Sequence, residues 1–303
     1  MNTKQILIGA MHKLKKYLLF FFLSLILCVL NVPFRGDSIK MFGLMGFPLS
    51  LLVGCISFFM FTLLSLSKYR GNVSKNGVFL AILLGIVILE VVPLRIISFK
   101  STLISLPETF FRMTSIIIAY GVYRIKNIFC KTAVSVLFFA LCLWVSIFGY
   151  GYWIHKLSFG SFTGKTEQIM STPFVFQDNG NKNISLSDID SKYVVLDFWA
   201  SSCGVCFKKF PEVQRIHEEW NDTQIRVYGV FCRNEKRNET HATGTEMLRE
   251  RGYTFPSLSI DYKDPVLKEM GVERLPTVLI FDQDRTLIYR GNIEGAERYL
   301  KKL

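Results

Sequence analysis

The sequence predicts two parts of different fold class: an N-terminal α-helical transmembrane bundle of about five spans, and a C-terminal α/β domain with a mixed central sheet flanked by helices. Half of the 303 residues are hydrophobic, which excludes a disordered chain. The formal net charge of +12 divides into +13 for residues 1–160 and −1 for residues 161–303. We therefore predict a transmembrane domain at 1–156, a linker at 157–170 and the α/β domain at 171–303.

The N-terminal part contains four apolar runs that are long enough to cross a bilayer as helices. They comprise residues 17–34, 41–67, 78–99 and 132–154. The third run carries Glu90, Pro93 and Arg95 near its end, an interruption that neighbouring helices can satisfy. A fifth candidate, 103–123, is long enough only if Glu108 and Arg112 are included.

The number of spans decides on which side of the membrane the C-terminal part lies. Five spans would leave ten basic residues in the segments on the N-terminal side and five in the opposite loops. The positive-inside rule then places the N-terminus in the cytoplasm and the C-terminal part outside, whereas four spans would leave both in the cytoplasm. The ten residues are Lys4, Lys13, Lys15, Lys16, Lys68, Arg70, Lys75, Arg124, Lys126 and Lys131. We interpret the first run as a retained anchor, because no small-residue cleavage site follows it.

The C-terminal part alternates between strand-like and helix-like segments. A β-branched and aromatic run at 192–200 predicts a buried strand, and a helical segment with Pro211 follows at 203–220. The remaining strands are predicted at 224–232, 257–261, 277–282 and 286–291, and the remaining helices at 246–251, 264–270 and from Glu294. This order indicates a mixed sheet covered on both faces. The near-neutral charge of this part leaves no basic stripe for DNA or RNA, so we predict no nucleic-acid partner.

Two cysteines separated by two residues open the helix after the first strand. Cys203 and Cys206 are one helical turn apart, so they can close a disulfide, and the helix N-terminus stabilises a thiolate on the first of them. A structural disulfide is one alternative to a reactive dithiol. Half of a zinc site is another, although only Cys232, His217 and His241 are at hand as further ligands. We predict no metal.

Two segments around this motif resemble a known family. DFWASSCGVCFKKFP at 197–211 and GVERLPTVLIFDQDRTLIYRG at 271–291 resemble the thioredoxin superfamily, and more narrowly the membrane-anchored TlpA/ResA-type thiol-disulfide oxidoreductases. The lead-in at 172–200 resembles that family's N-terminal hairpin, and RGYTFPSLSID at 251–261 also matches. The resemblance implies a thioredoxin-like fold for 171–303 and says nothing about the first 160 residues.

The resemblance also assigns roles to single residues. Cys203 becomes the nucleophile and Cys206 the resolving thiol, while Pro276 matches the family's cis-proline; a trans loop proline is the alternative. Leu275, just before that proline, would offer its backbone to the substrate. We place Trp199, Gly204 and Val205 with Leu275 and Pro276 in the substrate-binding set.

A buried acid of the thioredoxin type matches Asp197, six residues before Cys203. Desolvation would raise the pKa of this carboxyl, so it could exchange a proton with Cys206 near neutral pH; a surface residue at a strand end is the alternative. Relatives often carry an acid three positions after the second cysteine, where this chain has Lys209. Lys208 and Lys209 either lower a thiolate pKa or form a solvated helix face.

Further features limit the analogy. Ser202 stands where the family usually has tryptophan, and the central dipeptide is Gly-Val rather than Gly-Pro. Cys232 is either a core residue or a third redox thiol. The cysteines in or beside the spans are either ordinary apolar residues or an electron relay, and no two of them are close in sequence: Cys28, Cys55, Cys130 and Cys142. The PxxxTxxC peroxidase signature is absent.

Together these observations predict a membrane-tethered thiol-disulfide oxidoreductase of a bacterial inner membrane, with its redox domain on the periplasmic side. The resemblance implies that it reduces or isomerises disulfides of exported proteins. Its partners would be protein disulfides and a membrane electron donor, and it would need no cofactor beyond the Cys203–Cys206 disulfide. The alternative is a non-enzymatic membrane scaffold or transporter-like component with a docking domain.

Overall fold

In the computed structural model the chain forms two compact units, Met1–Ile154 and His155–Leu303. The structure describes residues 3–36, 38–41, 43–68, 73–170, 174–178, 180, 182–220 and 224–303. Arg70, used above for the orientation, lies outside the described residues, as do Ser171 and the next two residues, where the family resemblance begins.

The N-terminal unit is built from long apolar helices. They are α1 (Thr3–Asn31), α2 (Gly46–Lys68), α3 (Lys75–Ile86), α4 (Leu106–Arg124), α5 (Ile128–Trp144) and α6 (Tyr150–Phe159), with a short hairpin of β1 (Lys40–Met41) and β2 (Leu44–Met45) before α2. π-Helical segments continue α3 through Val87–Ile97 and join α5 to α6. Among the described residues, five helical segments are long and apolar enough to cross a membrane, so the predicted N-terminal bundle of about five apolar helices is confirmed.

The charges inside the third and fourth of these helical segments neutralise one another. Glu108 accepts hydrogen bonds from Arg112 at 2.7 Å and from Arg35 at 2.9 Å, and Arg112 also pairs with Glu90. Ser50 of α2 donates to Glu108 as well. Because Glu90, Glu108 and Arg112 are all buried, each charge needs such a partner. This pairing explains how α4, which lies in the charged candidate segment 103–123, can lie within the helical bundle.

The C-terminal unit contains an eight-stranded mixed sheet in the order β3-β10-β9-β6-β7-β8-β4-β5. Its strands are β3 (Lys165–Gln168), β4 (Phe176–Gln177), β5 (Asn183–Ile184), β6 (Tyr193–Trp199), β7 (Ile225–Arg233), β8 (Ser257–Asp261), β9 (Thr277–Phe281) and β10 (Leu287–Gly291). β6, β7 and β8 are parallel, and the other pairs are antiparallel. Its helices are α7 (Gly204–Trp220), α8 (His241–Arg249), α9 (Pro265–Glu269) and α10 (Ile293–Leu300). The predicted fold class is confirmed.

Two boundaries differ from the prediction. Part of the predicted linker, Lys165–Gln168, is an edge strand that pairs with β10. It is only four residues long and all four are polar, so it gives too short a pattern to recognise in the sequence. The helix predicted at 246–251 begins at His241, because Thr240 and Thr243 form a reciprocal cap at its N-terminus.

The central strand β6 separates two hydrophobic clusters because its side chains alternate between the two faces of the sheet. Val195 and Trp199 lie in the cluster that includes Cys206 and Phe210 of α7, whereas Phe198 lies in the cluster on the opposite face. Helices α7 and α10 contribute to the first cluster and α9 to the second. This arrangement places the start of α7 just after the end of β6, in which every residue except Tyr193 is buried.

Candidate active site

Cys203 and Cys206 form a disulfide at the start of α7, with their Cα atoms 5.3 Å apart. β6 ends at Trp199, a tight turn follows, and Gly204 begins the helix. Cys206 has no exposed surface, whereas Cys203 is partly exposed. The backbone amide of Cys206 donates a hydrogen bond to the Cys203 sulfur at 3.2 Å. The Cys203 sulfur is thus accessible to a partner and lies at a helix end that favours a thiolate, whereas Cys206 is not accessible.

Asp197 lies on β6 between Val195 and Trp199, on the face of the sheet that packs against Cys206. The residue is 1% exposed, and neither carboxyl oxygen has a hydrogen-bond partner among the described residues. Desolvation raises the pKa of Asp197 from 3.8 to about 8. The alternative of a surface acid at a strand end is therefore wrong, and the carboxyl can hold a proton at neutral pH.

The Leu275-Pro276 peptide bond is cis, as the family resemblance implied. Leu275 and Cys203 are both partly buried, and both pack against the cluster that contains Cys206. Leu275 also packs against the cluster on the opposite face of the sheet. Gly204 and Val205 are exposed beside the disulfide, with Val205 57% exposed. The substrate-binding role of Leu275, Pro276, Gly204 and Val205 stays a prediction.

Trp199 does not belong to this surface. It has no exposed area and contacts Phe210 and Phe231 with ring centroids 5.1 and 4.7 Å apart. As placed here it cannot touch a substrate, so its assignment to the substrate-binding set is corrected. The reason is the strand alternation, which directs position 199 into the core between β6 and α7. Its ring instead supports the helix that carries the cysteines.

The two lysines after Cys206 have different surroundings. Lys208 is exposed, as expected for a solvated helix face. The Lys209 ammonium pairs with Glu212 at 3.2 Å and with Glu294 of α10. These contacts raise the pKa of Lys209, with the Glu294 hydrogen bond as the main cause. Its charge is thus engaged by two carboxylates of the domain.

Some neighbours of the site were not predicted. Glu239 accepts a hydrogen bond from Ser201 in the turn before Cys203, and the Arg251 guanidinium lies 4.6 Å from the centroid of the Phe207 ring. Phe207 in turn packs against the cluster around Cys206. Glu239 and Arg251 flank α8, more than 30 residues further along the chain. No local pattern in the sequence could have placed them here.

The other candidate ligands do not converge on the disulfide. Among the described residues, no group of three or more His, Cys, Asp or Glu side chains could hold a metal ion. Cys232 is 3% exposed, and burial followed by the charge of Asp197 raises the pKa of its thiol to about 12. Such a thiol is almost never ionised near neutral pH, which favours the interpretation as a core residue.

Comparison with known proteins agrees with this geometry. The family model described as AhpC/TSA matches residues 168–290. The thiol-disulfide oxidoreductase ResA of Bacillus thuringiensis (strain Al Hakam) is 28% identical over 134 residues, which cover 43% of this chain and 74% of the relative. ResA of Bacillus subtilis (strain 168) is 27% identical over 146 residues, covering 48% and 78%.

A solved structure also matches. The pneumococcal exposed lipoprotein thioredoxin Etrx1 of Streptococcus pneumoniae strain TIGR4 superposes with a TM-score of 0.37 and 26% identity, covering 44% of this chain and all of that one. The family model and the ResA relatives both match the unit that carries the Cys203–Cys206 disulfide. The C-terminal unit therefore carries a thioredoxin-like domain that matches the AhpC/TSA model, and its similarity to the ResA relatives supports a thiol-disulfide oxidoreductase of the ResA/TlpA type.

Proposed function

We propose that this protein is a membrane-tethered oxidoreductase that reduces or isomerises disulfides of exported proteins through Cys203 and Cys206. The observation that carries the proposal is the asymmetry of the pair: a partly exposed sulfur at a helix start is joined to a sulfur with no exposed surface. An attacking thiol needs access to its substrate, and a resolving thiol needs only access to its neighbour.

The reaction begins from the reduced pair. The Cys203 thiolate attacks one sulfur of a substrate disulfide, forms a mixed disulfide and releases the other substrate sulfur as a thiolate. Cys206 then loses its proton to the ionised form of Asp197 and attacks the Cys203 sulfur, which releases the second substrate sulfur as a thiolate. Two electrons have passed to the substrate, and the Cys203–Cys206 disulfide is the product. A membrane dithiol donor would return two electrons to it in the next cycle.

The attack can be tested with the purified full-length protein and insulin as substrate. Cys203→Ser is expected to abolish insulin reduction. Cys206→Ser is expected to accumulate a mixed disulfide on Cys203, because nothing resolves it. Cys232→Ser serves as the matched control, since it removes a buried cysteine of the same domain and should retain full activity. Full activity of the Cys203 variant would exclude the mechanism.

The proposed location is a bacterial inner membrane, with the redox domain on the periplasmic side. Five membrane-capable segments support it, because an odd number of spans places the two chain ends on opposite sides. A Cys130→Ser/Cys206→Ser variant leaves Cys203 as a free, partly exposed thiol. An impermeant maleimide should label it in intact cells and should not label the same variant with Cys203→Ser added. Labelling only after lysis would place the domain in the cytoplasm.

A further inference from the structure

A single carboxylate connects the turn before Cys203 to the loop that follows β7. One oxygen of Glu239 accepts a hydrogen bond from the Ser201 hydroxyl, and the other accepts one from the backbone amide of Asn234 at 2.9 Å. The backbone amide of Cys203 donates to the Ala200 carbonyl at 3.0 Å and closes the turn. Glu239 is partly buried. Its carboxylate therefore holds the second residue of the turn that ends at the reacting cysteine.

The loop that carries Glu239 is held in shape by its own hydrogen bonds. The Asn234 carbonyl accepts from the backbone amides of Arg237 at 2.9 Å and Glu239 at 3.4 Å. The Asn234 side chain accepts from the backbone amide of Lys236 at 3.1 Å. Asn238 adopts a left-handed conformation with φ of 54°, which asparagine tolerates better than most residues. Because these bonds are local to the loop, the Glu239 carboxylate is preorganised for its contact with the turn.

Glu239 brings a negative charge to the turn that carries the reacting sulfur. Among the described residues, it is the charged side chain that is hydrogen-bonded to this turn. The charged residues of the flanking segments are exposed, so solvent and salt screen them: Lys208, Lys236, Arg237, Arg251, Glu273 and Arg274. The helix N-terminus stabilises a thiolate on Cys203, and a nearby carboxylate acts in the opposite direction. Because a stabilised thiolate makes a disulfide a stronger oxidant, this carboxylate makes the pair more reducing.

We propose that Glu239 is a positioning residue for thiol-disulfide exchange. It fixes the turn that carries Cys203 through the Ser201 hydroxyl, and its negative charge opposes the Cys203 thiolate and keeps the dithiol reducing. The proposal rests on thiol-disulfide exchange by Cys203. It does not depend on which substrate is reduced or on which side of the membrane the domain lies.

Glu239→Gln separates the charge from the hydrogen bonds, because the glutamine carbonyl can accept from Asn234 while its amide donates to the Ser201 hydroxyl. The test uses full-length protein in detergent. With Cys206→Ser also present, the rate of iodoacetamide alkylation of Cys203 is measured against pH by mass spectrometry of its peptide. We expect the pKa of the Cys203 thiol to fall by about 0.5–1 unit, the effect of one nearby charge at a protein surface. With Cys206 intact, equilibration with glutathione above this pKa should favour the reduced protein by about three- to tenfold more than in the wild type.

Glu235→Gln is the matched control, because it removes an exposed charge from the same loop and should leave both measurements as in the wild type. Ser201→Ala keeps the charge of Glu239 but removes the link to the turn, and should lower kcat/KM for insulin reduction, whereas Ser201→Thr keeps a hydroxyl and should restore it. An unchanged Cys203 pKa in Glu239→Gln would overturn the proposal, as would an equal shift in Glu235→Gln or full activity of Ser201→Ala. These outcomes leave the exchange reaction itself intact, which Cys203→Ser tests separately.

Discussion

Replacing Asp197 by Asn should change how the stability of the redox domain depends on pH. The folded-state pKa of Asp197 is about 8, whereas an unburied carboxyl titrates at 3.8. The unfolded chain therefore ionises first, and ionisation above pH 3.8 favours unfolding. The stability associated with this group is complete below pH 3.8 and is lost as the pH rises to about 8. At 1.36 kcal/mol per pKa unit, the full effect is about 6 kcal/mol as an upper bound.

Asn is neutral and of similar shape to Asp. The free energy of unfolding of Asp197→Asn should therefore equal that of the wild type near pH 3.8 and exceed it by a growing amount up to pH 8. Pulse proteolysis of the oxidised full-length protein in urea measures the free energy of unfolding of the domain at each pH. Asp284→Asn is the matched control, because Asp284 is exposed and the same substitution there removes no buried carboxyl. A constant difference between Asp197→Asn and the wild type from pH 4 to 8 would refute the argument from desolvation.

Three further substitutions have defined outcomes. Arg112→Gln removes the main partner of the buried Glu90 and Glu108 and should destabilise the N-terminal unit by about 3–5 kcal/mol. The Tm in detergent should fall, and it should recover in part when both glutamates are also replaced by Gln. An unchanged Tm would contradict the pairing. Lys209→Ala breaks only partly exposed ion pairs, so the free energy of unfolding should fall by less than about 1 kcal/mol. Trp199→Ala opens a cavity in the core and should cost about 3–5 kcal/mol in urea denaturation; a loss below 1 kcal/mol would indicate that its ring is not packed as described.

The local sequence was sufficient to predict the dithiol and the strand and helix on either side of it. The apolar β-branched run before Cys203 specified β6, and the spacing of the cysteines specified the disulfide at the start of α7. Strand alternation also determines that Asp197 and Trp199 share a face of the sheet. The burial of Trp199 could therefore have been predicted from the pattern. The assignment of Trp199 to the substrate-binding set did not apply this alternation. The edge strand Lys165–Gln168 is too short to carry a pattern of its own.

Sequence alone determined that this chain has an apolar, basic half and a near-neutral redox half, because composition and periodicity are local properties. Contacts between residues far apart were decided only by the tertiary structure. The carboxyl of Glu294 reaches Lys209 through the packing of α10, and Cys55 and Cys142 lie in one hydrophobic cluster through the packing of α2 and α5. Helix packing depends on side-chain shape across whole interfaces, and no spacing within one segment encodes it.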